Sequence, residues 1–183
     1  MPRRPPTPAA LLKRGTISAL EARVLAHMRA GIYDEERLTR SLFGLPRGTL
    51  IASSWQAAAA FAPVLQGRAT EALAVAMLNQ RGMLLGEPVI LTTGSRAATV
   101  FDPAQILHHV LTKGGGECAS FIVAHNHPSG NTTPSWEDIT ATKKMQAAAA
   151  AVRLNLHDSL VIVDGGGFSS LAELGHMAPV PLV

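Results

Sequence analysis

The stretch that decides the fold is Ala119-Ser-Phe-Ile-Val-Ala124, followed without a break by His125-Asn-His127-Pro-Ser-Gly130-Asn-Thr-Thr-Pro134-Ser135-Trp-Glu-Asp138. Its first six residues are almost entirely apolar and predict a buried strand. A turn through Pro128 and Gly130 follows, and Pro134 begins a helix that we expect to extend to about Arg153. Because side chains alternate along an extended backbone, His125 and His127 project to the same side.

The predicted helix brings a carboxylate to the two imidazoles. Ser135 and Asp138 are three residues apart in its first turn and therefore lie on one face. Two neutral imidazoles and one carboxylate suit a divalent ion of the zinc type and leave a fourth tetrahedral position open. An open position indicates catalysis or substrate binding. Zinc lowers the pKa of its bound water from about 15.7 to about 7. Ser135 would then donate to the tetrahedral oxyanion.

A plainer interpretation of the same residues stays open. A histidine pair after a strand is often only a surface feature, and Ser135 with Asp138 is also typical of a helix cap. The metal hypothesis is favoured because a strand end, a turn and a helix start independently place three ligand-competent side chains at one point.

The rest of the chain after residue 68 alternates between strands and helices. Glu71–Asn79 is an apolar run that fits either type, and Pro88 interrupts a strand over Leu84–Thr92. The other predicted elements are a short strand over Ala97–Phe101, a helix capped by Asp102 and Pro103 with a buried stripe of Ile106, Leu107, Val110 and Leu111, and a strand over Ser159–Val163. This alternation predicts a layered α/β domain.

The N-terminal third has a different character. The sequence predicts three parts. They are a flexible basic, proline-rich tail over residues 1–15, a small helical region over residues 16–68 and the α/β domain over residues 69–183. Residues 1–68 contain ten Lys and Arg against four Asp and Glu, whereas residues 69–183 contain six against nine. A basic N-terminal segment is compatible with a nucleic-acid partner.

Composition excludes several classes of protein. The 183 residues include a single cysteine, which rules out an internal disulfide and a cysteine zinc cage. No apolar run approaches the roughly 18 residues that span a bilayer, so we expect a cytoplasmic protein without membrane contact. The single cysteine and the Asn126-His127 pair also disfavour a nucleobase deaminase, which uses His-x-Glu with Pro-Cys-x-x-Cys.

The spacing His125-x-His127, seven residues, Ser135-x-x-Asp138 resembles the metal signature of the JAB/MPN (JAMM) metallopeptidase-like domains, and His-Asn-His-Pro-Ser-Gly resembles their RadC-like branch. Gly94-Ser95 and Ser170-Leu171-x-Glu173-x-Gly175 are similar to further motifs of that branch. The resemblance covers roughly residues 70–178. It implies a three-layer, cytidine-deaminase-like α/β fold, with zinc held by His125, His127 and Asp138 and with Ser135 beside it.

The sequence departs from the family pattern at two places. The family's catalytic glutamate lies about five residues before its Gly-Thr, where this chain has Val89, and the nearest acid is Glu87. An inserted β-bulge would allow Glu87 to serve as the general base. Where the branch has Asp-His, this chain has Asp158-Ser159, which predicts an altered outer contact of the metal ligands.

Two functions follow from these residues. The first is a zinc-dependent hydrolase that acts on a peptide or isopeptide bond of a protein or peptide substrate. The second is a non-catalytic metal-binding or scaffold module, which the valine at position 89 favours. An association with DNA through the basic N-terminal region is compatible with either.

Overall fold

A computed structural model describes residues 44–94 and 101–178 together with Val24. The helices are α1 (Ser54–Leu65), α2 (Pro103–Lys113) and α3 (Trp136–Ala151), and a 3-10 turn spans Gly115–Glu117. The strands are β1 (Glu71–Leu78), β2 (Val89–Gly94), β3 (Ser120–Asn126), β4 (Asn155–Ile162) and β5 (Phe168–Ser170).

The five strands form one mixed sheet in the order β2-β1-β3-β4-β5. β1 is antiparallel to β2 and β3, β3 is parallel to β4, and β5 returns antiparallel to β4. A parallel pair needs a crossover connection, and α3 supplies it between β3 and β4. The sheet therefore places the end of β3 beside the start of α3.

Helices cover both faces of the sheet, which confirms the predicted three-layer α/β architecture. α1 packs on one face through alanines, Phe61 and Leu65, in a core shared with alternate residues of β1 and β3. On the other face, α2 and α3 contribute Ile106, Val110 and Met145 to a second core that contains the intervening strand residues. Strands β1, β3 and β4 therefore each supply side chains to two separate cores.

The ambiguous run at residues 71–79 forms strand β1. Its apolar residues are buried on both faces, with Ala72, Leu73, Ala74 and Leu78 completely inaccessible to solvent. A strand buried on both faces has no polar alternation, so its sequence resembles that of a buried helix. Pairing with β2 and β3 decides the structure of this segment.

Helix α1 begins after Ser53, whose side chain accepts a hydrogen bond from the backbone N–H of Gln56. The helix contains the alanine run that predicted it, and Pro63 lies inside it. Although this segment belongs to the predicted helical region of residues 16–68, α1 packs directly on the sheet. The domain boundary at residue 68 itself stays a prediction.

Helix α2 begins as predicted, with Asp102 as its N-cap and Pro103 in its first turn. Ile106 and Val110 are buried, but the expected burial of Leu111 is wrong, because this side chain is 50% exposed. α2 contacts the sheet through a narrow stripe, and Leu111 lies about 100° around the helix from Val110.

Several element boundaries differ from the predicted ones. α3 is two residues shorter at each end than the predicted helix. β4 begins four residues before Ser159, because Asn155 already pairs with Ser120 of β3. The predicted N-terminal helices and tail lie outside the described residues apart from Val24 and α1, as does the strand at 97–101 apart from Phe101.

Among the described residues, no helix has the length and apolar character needed to cross a membrane.

Candidate metal centre

The two histidines project from the end of the central strand β3. His125 pairs with Leu73 of β1 and with Val161 of β4, and its side chain lies on the face covered by α3. His127 follows directly after the strand, and its backbone N–H donates to the carbonyl of Ile162 at 3.0 Å. Because they are two residues apart in extended backbone, the two rings face the same side, as predicted.

Asp138 reaches the histidines from the first turn of α3. Ser135 is the N-cap of this helix, and its hydroxyl accepts from the Asp138 backbone N–H at 3.1 Å. In return, the backbone N–H of Ser135 donates to Asp138 Oδ2 at 2.8 Å, which completes a capping box. The expected helix cap and the expected ligand geometry thus occur in the same two residues.

The three side chains converge on one small volume. His125 Nε2 lies 3.0 Å from His127 Nε2 and 3.3 Å from Asp138 Oδ1, and His127 Nε2 lies 3.5 Å from Asp138 Oδ2. Ligand atoms held at about 2.0–2.1 Å from a tetrahedral zinc ion are about 3.3–3.4 Å apart. These spacings, together with two imidazole nitrogens and a carboxylate oxygen as donors, fit a divalent cation.

An outer hydrogen bond orients the His127 ring. His127 Nδ1 lies 2.8 Å from the carbonyl oxygen of Asn131, which can only accept, so Nδ1 carries a proton. When the ring is neutral, its lone pair is therefore at Nε2. The loop that supplies this carbonyl turns at Gly130, whose φ of +79° favours glycine. Ser169 of β5 donates to the next carbonyl, that of Thr132, at 2.5 Å. The loop therefore holds His127 in the tautomer that a metal requires.

His125 is the most enclosed member of the group, with 3% of the residue exposed. The ring of Phe101 packs edge-on against it, with the centroids 5.9 Å apart. Within the described ranges, His125 Nδ1 is buried and has no hydrogen-bond partner. The polar contacts of this ring are therefore concentrated at Nε2, the atom that faces His127 and Asp138.

The charges in this cluster stabilise one another. Burial opposes ionisation of Asp138, but hydrogen bonds from His125, His127 and Ser135 outweigh it and hold the pKa of this carboxyl well below its usual range. The hydrogen bond to Asp138 raises the pKa of His127 despite its partial burial. Asp138 is therefore an anion at neutral pH, as a metal ligand must be.

Comparison with known proteins places this arrangement in a family. Residues 51–176, more than two thirds of the chain, match the RadC-like JAB domain. The chain belongs to the RadC-like JAB family. The predicted family resemblance is thereby confirmed, and the match extends further toward the N-terminus than the motifs indicated because it includes α1.

Proteins of several other organisms are similar to this RadC-like JAB domain over most of its length. A UPF0758 protein of Thermosynechococcus vestitus is 36% identical over 126 residues, 69% of this chain and 48% of the relative. A UPF0758 protein of Acaryochloris marina is 37% identical over 128 residues, 70% of this chain and 51% of the relative. A UPF0758 protein of Porphyromonas gingivalis is 34% identical over 131 residues, which are 72% of this chain and 56% of the relative. The matched region is thus about half the length of these relatives.

Glu87 is the one predicted site residue that the structure does not bring to this cluster. The bulge that we considered is present, because β2 slips by one residue opposite Leu73 and Ala74. On β1, Leu73 is the partner of His125, and Val75, two residues further along, is the partner of Val89. Glu87 precedes Val89, the first residue of the antiparallel strand β2, so it lies still further from His125 in the direction of Leu78. Glu87 is exposed and precedes β2. Its role as general base stays a prediction without support from this register.

The second departure from the family pattern has a local explanation. Ser159 is completely buried, and its hydroxyl accepts from Thr142, one turn after Asp138 on α3. Ser159 therefore connects β4 to α3 and contacts the ligand-bearing helix through Thr142. The neighbouring Asp158 accepts from the Ser170 hydroxyl at 2.6 Å, and the Ser170 hydroxyl accepts from the Glu173 N–H at 3.0 Å. The terminal Ser-Leu-x-Glu motif thus connects the end of β5 and the turn after it to Asp158 of β4.

Among the described residues, the other histidines and Cys118 do not belong to the cluster. His108 and His157 are exposed, and His109 is half-buried on α2. Cys118 precedes β3 at the end opposite His125, where burial raises the pKa of its thiol. No local sequence pattern indicates the contacts of Asn131, Asn126 and Thr142. Asn131 acts through its own backbone carbonyl, the Asn126 side chain contacts the backbone of Ala72, and Thr142 contacts a residue 17 positions away.

Proposed function

We propose that this RadC-like JAB domain is a zinc-dependent hydrolase that acts on peptide or isopeptide bonds. The observation that carries the proposal is the convergence of His125, His127 and Asp138, whose ligand atoms all lie within 4.8 Å of one another. The relatives' names state no activity, so the substrate class comes from the resemblance of this donor set to the JAMM signature.

The donor set supports zinc over the common hard cations. Magnesium and calcium prefer oxygen ligands, whereas imidazole suits zinc and its neighbours in the first transition series. When bound, zinc would polarise a carbonyl and lower the pKa of a coordinated water. Two of the candidate ligands are already oriented by hydrogen bonds, since His127 contacts Asn131 and Asp138 contacts Ser135. Such outer partners fix the orientation of a ligand and its basicity.

The Ser135 hydroxyl is the chain's candidate hydrogen-bond donor to a tetrahedral oxyanion. It currently donates to Asp138 Oδ2 at 2.7 Å. A hydroxyl has one proton, so Ser135 stabilises an oxyanion only when it rotates away from Asp138. Its role in turnover is therefore separable from its role as helix cap, because the cap uses the oxygen and not the proton.

A second candidate is a metal-binding module without hydrolytic activity. The specific observation in its favour is the position of Glu87, exposed and displaced along β1 from the histidines. A positioned general base contributes about 10²–10⁴-fold to such reactions, so a domain without one retains the metal and loses most of its rate.

Metal titration and turnover together test the proposal. We expect one equivalent of zinc in the wild-type protein and in His157→Ala, a control at an exposed histidine, and a loss of zinc in His127→Ala. Hydrolysis of a peptide and isopeptide panel should require zinc and disappear with a chelator. Zinc binding without hydrolysis would favour the second candidate, and failure of the wild type to bind zinc would overturn both.

A further inference from the structure

Asn126, the residue between the two histidines, points to the opposite face of the sheet. Ile122 and Ala124 lie in the core under α1, and the alternation of side chains along β3 continues this face to Asn126. The residue is only 3% exposed. A buried amide needs hydrogen-bond partners, and those of Asn126 come from the chain that enters β1.

Both the oxygen and the nitrogen of the Asn126 side-chain amide form hydrogen bonds with the backbone of that segment. Its Oδ1 accepts from the N–H of Ala72 at 2.8 Å. Its Nδ2 donates to the carbonyl of Thr70 at 3.2 Å and, less closely, to that of Arg68 at 3.5 Å. The partners determine the orientation of the amide, because an N–H can pair only with the oxygen and a carbonyl only with the nitrogen.

These contacts begin where the sheet ladder ends. Leu73 and His125 are the last paired residues of β1 and β3, so Asn126 extends the connection to residues 68–72 by its side chain. The two residues before that segment are anchored to the chain that follows β4, since Gln66 Nε2 donates to Val163 O at 3.1 Å and the Gly67 N–H donates to Asp164 at 2.6 Å. On its other side, the end of β3 is held by β4 through the His127 N–H.

The strand end that carries both candidate ligands is therefore held from two sides, and Asn126 makes the contact on the β1 side. A metal site requires ligand distances within about 0.2 Å of ideal values, so a small shift of this strand end would displace both rings together. We propose that Asn126 is a positioning residue for His125 and His127, acting on metal affinity through the backbone of β3. This inference rests on the metal-binding part of the proposed function.

The test compares Asn126 with a matched asparagine at the other end of β1. Asn79 Oδ1 accepts from the backbone N–H groups of Arg81 and Met83 at 2.9 and 3.1 Å, so Asn79→Ala also removes side-chain contacts to the main chain. The Asn126 variants are Asn126→Ala and Asn126→Leu, of which the second keeps the branching at Cγ and fills the space without hydrogen bonds. For each protein, the zinc dissociation constant is measured by competition with a chromogenic chelator, and the melting temperature without zinc is recorded.

We expect both Asn126 variants to bind zinc about ten- to a hundredfold more weakly than the wild type, the size found for outer partners of metal ligands. Asn79→Ala should lose stability and retain wild-type affinity. Wild-type affinity in a folded Asn126 variant would overturn the inference. So would the failure of both variants to fold, because Asn126 would then act on the fold as a whole. A wild-type protein that binds no zinc would instead overturn the proposed function.

Discussion

Ser135 and Asp138 hold each other through three hydrogen bonds. Two donors of Ser135, its hydroxyl at 2.7 Å and its backbone N–H at 2.8 Å, reach Asp138 Oδ2, and the Ser135 hydroxyl accepts from the Asp138 N–H. This leaves Oδ1 facing His125 at 3.3 Å. The contacts that begin helix α3 are thus the same contacts that orient the carboxylate of the candidate metal centre.

Ser135→Ala should therefore affect stability and metal binding together. Loss of the cap is expected to lower the free energy of unfolding by about 1 kcal/mol. Loss of an outer hydrogen bond to Asp138 should weaken zinc binding by about ten- to a hundredfold. Urea denaturation and zinc titration measure the two effects. Ser135→Thr retains the hydroxyl and should resemble the wild type in both, and a Ser135→Ala protein with unchanged affinity would contradict the prediction.

Zinc should stabilise this domain through Asp138. At a zinc concentration of about 100 times the dissociation constant, a single site raises the free energy of unfolding by about 2.7 kcal/mol. We expect a zinc-dependent rise in melting temperature for the wild type and for His157→Ala, and none for Asp138→Asn at the same concentration. An equal rise in the Asp138→Asn variant would indicate that zinc binds elsewhere on the chain.

Asp158 should make stability depend on pH in the acid range. Burial raises its pKa above the ordinary value of 3.8 despite hydrogen bonds from Ser170, Ala172 and Ser159. Because the folded state then binds the proton more tightly than the unfolded chain, this contribution to stability is full below about pH 4 and is lost as pH rises through the raised pKa.

The Asp158→Asn variant isolates that contribution. Its amide can accept from backbone N–H groups and donate to the Ser170 hydroxyl, so it should be at least as stable as the wild type at pH 7. The wild-type free energy of unfolding, relative to the variant, should fall as pH rises from about 4, as measured by urea denaturation at several pH values. A difference that stays constant or rises with pH would refute the assignment.

Helix α2 offers a test of the packing on the α3 face. Ile106 is 1% exposed and Leu111 is 50% exposed. Ile106→Ala should lower the free energy of unfolding by about 2–5 kcal/mol, because it leaves a cavity in the core. Leu111→Ala should change it by about 0.5 kcal/mol or less. Thermal and urea denaturation compare the two, and similar losses would show that Leu111 is covered in solution.

Glu87→Gln tests the predicted general base. From the register of β2, we expect zinc affinity and any hydrolysis to be unchanged, because Glu87 is exposed and displaced along β1 from His125. Steady-state turnover of the peptide panel is the measurement, with zinc content as the control. A loss of about 10²–10⁴-fold in rate with full zinc content would establish Glu87 as the general base.

The sequence by itself determined those parts of the protein whose signals are local. Asp102 and Pro103 predict the start of α2, and Ser135 and Asp138 predict the start of α3. Both predictions are possible because the residues that form a helix cap lie within four positions of one another. The spacing of His125 and His127 placed both rings on one side, because strand periodicity is two. These local signals were sufficient to predict the three candidate ligands and the layered α/β architecture.

Only the tertiary structure decided what depends on pairing between distant segments. β1 is buried on both faces and has no periodic signal, so its partners settled it as a strand. The bulge in β2 and the resulting position of Glu87 depend on strand register. The contacts of Asn126 and Asn131 depend on backbone groups. Since every residue but proline has the same backbone N–H and C=O, residue identity does not indicate which ones meet after folding.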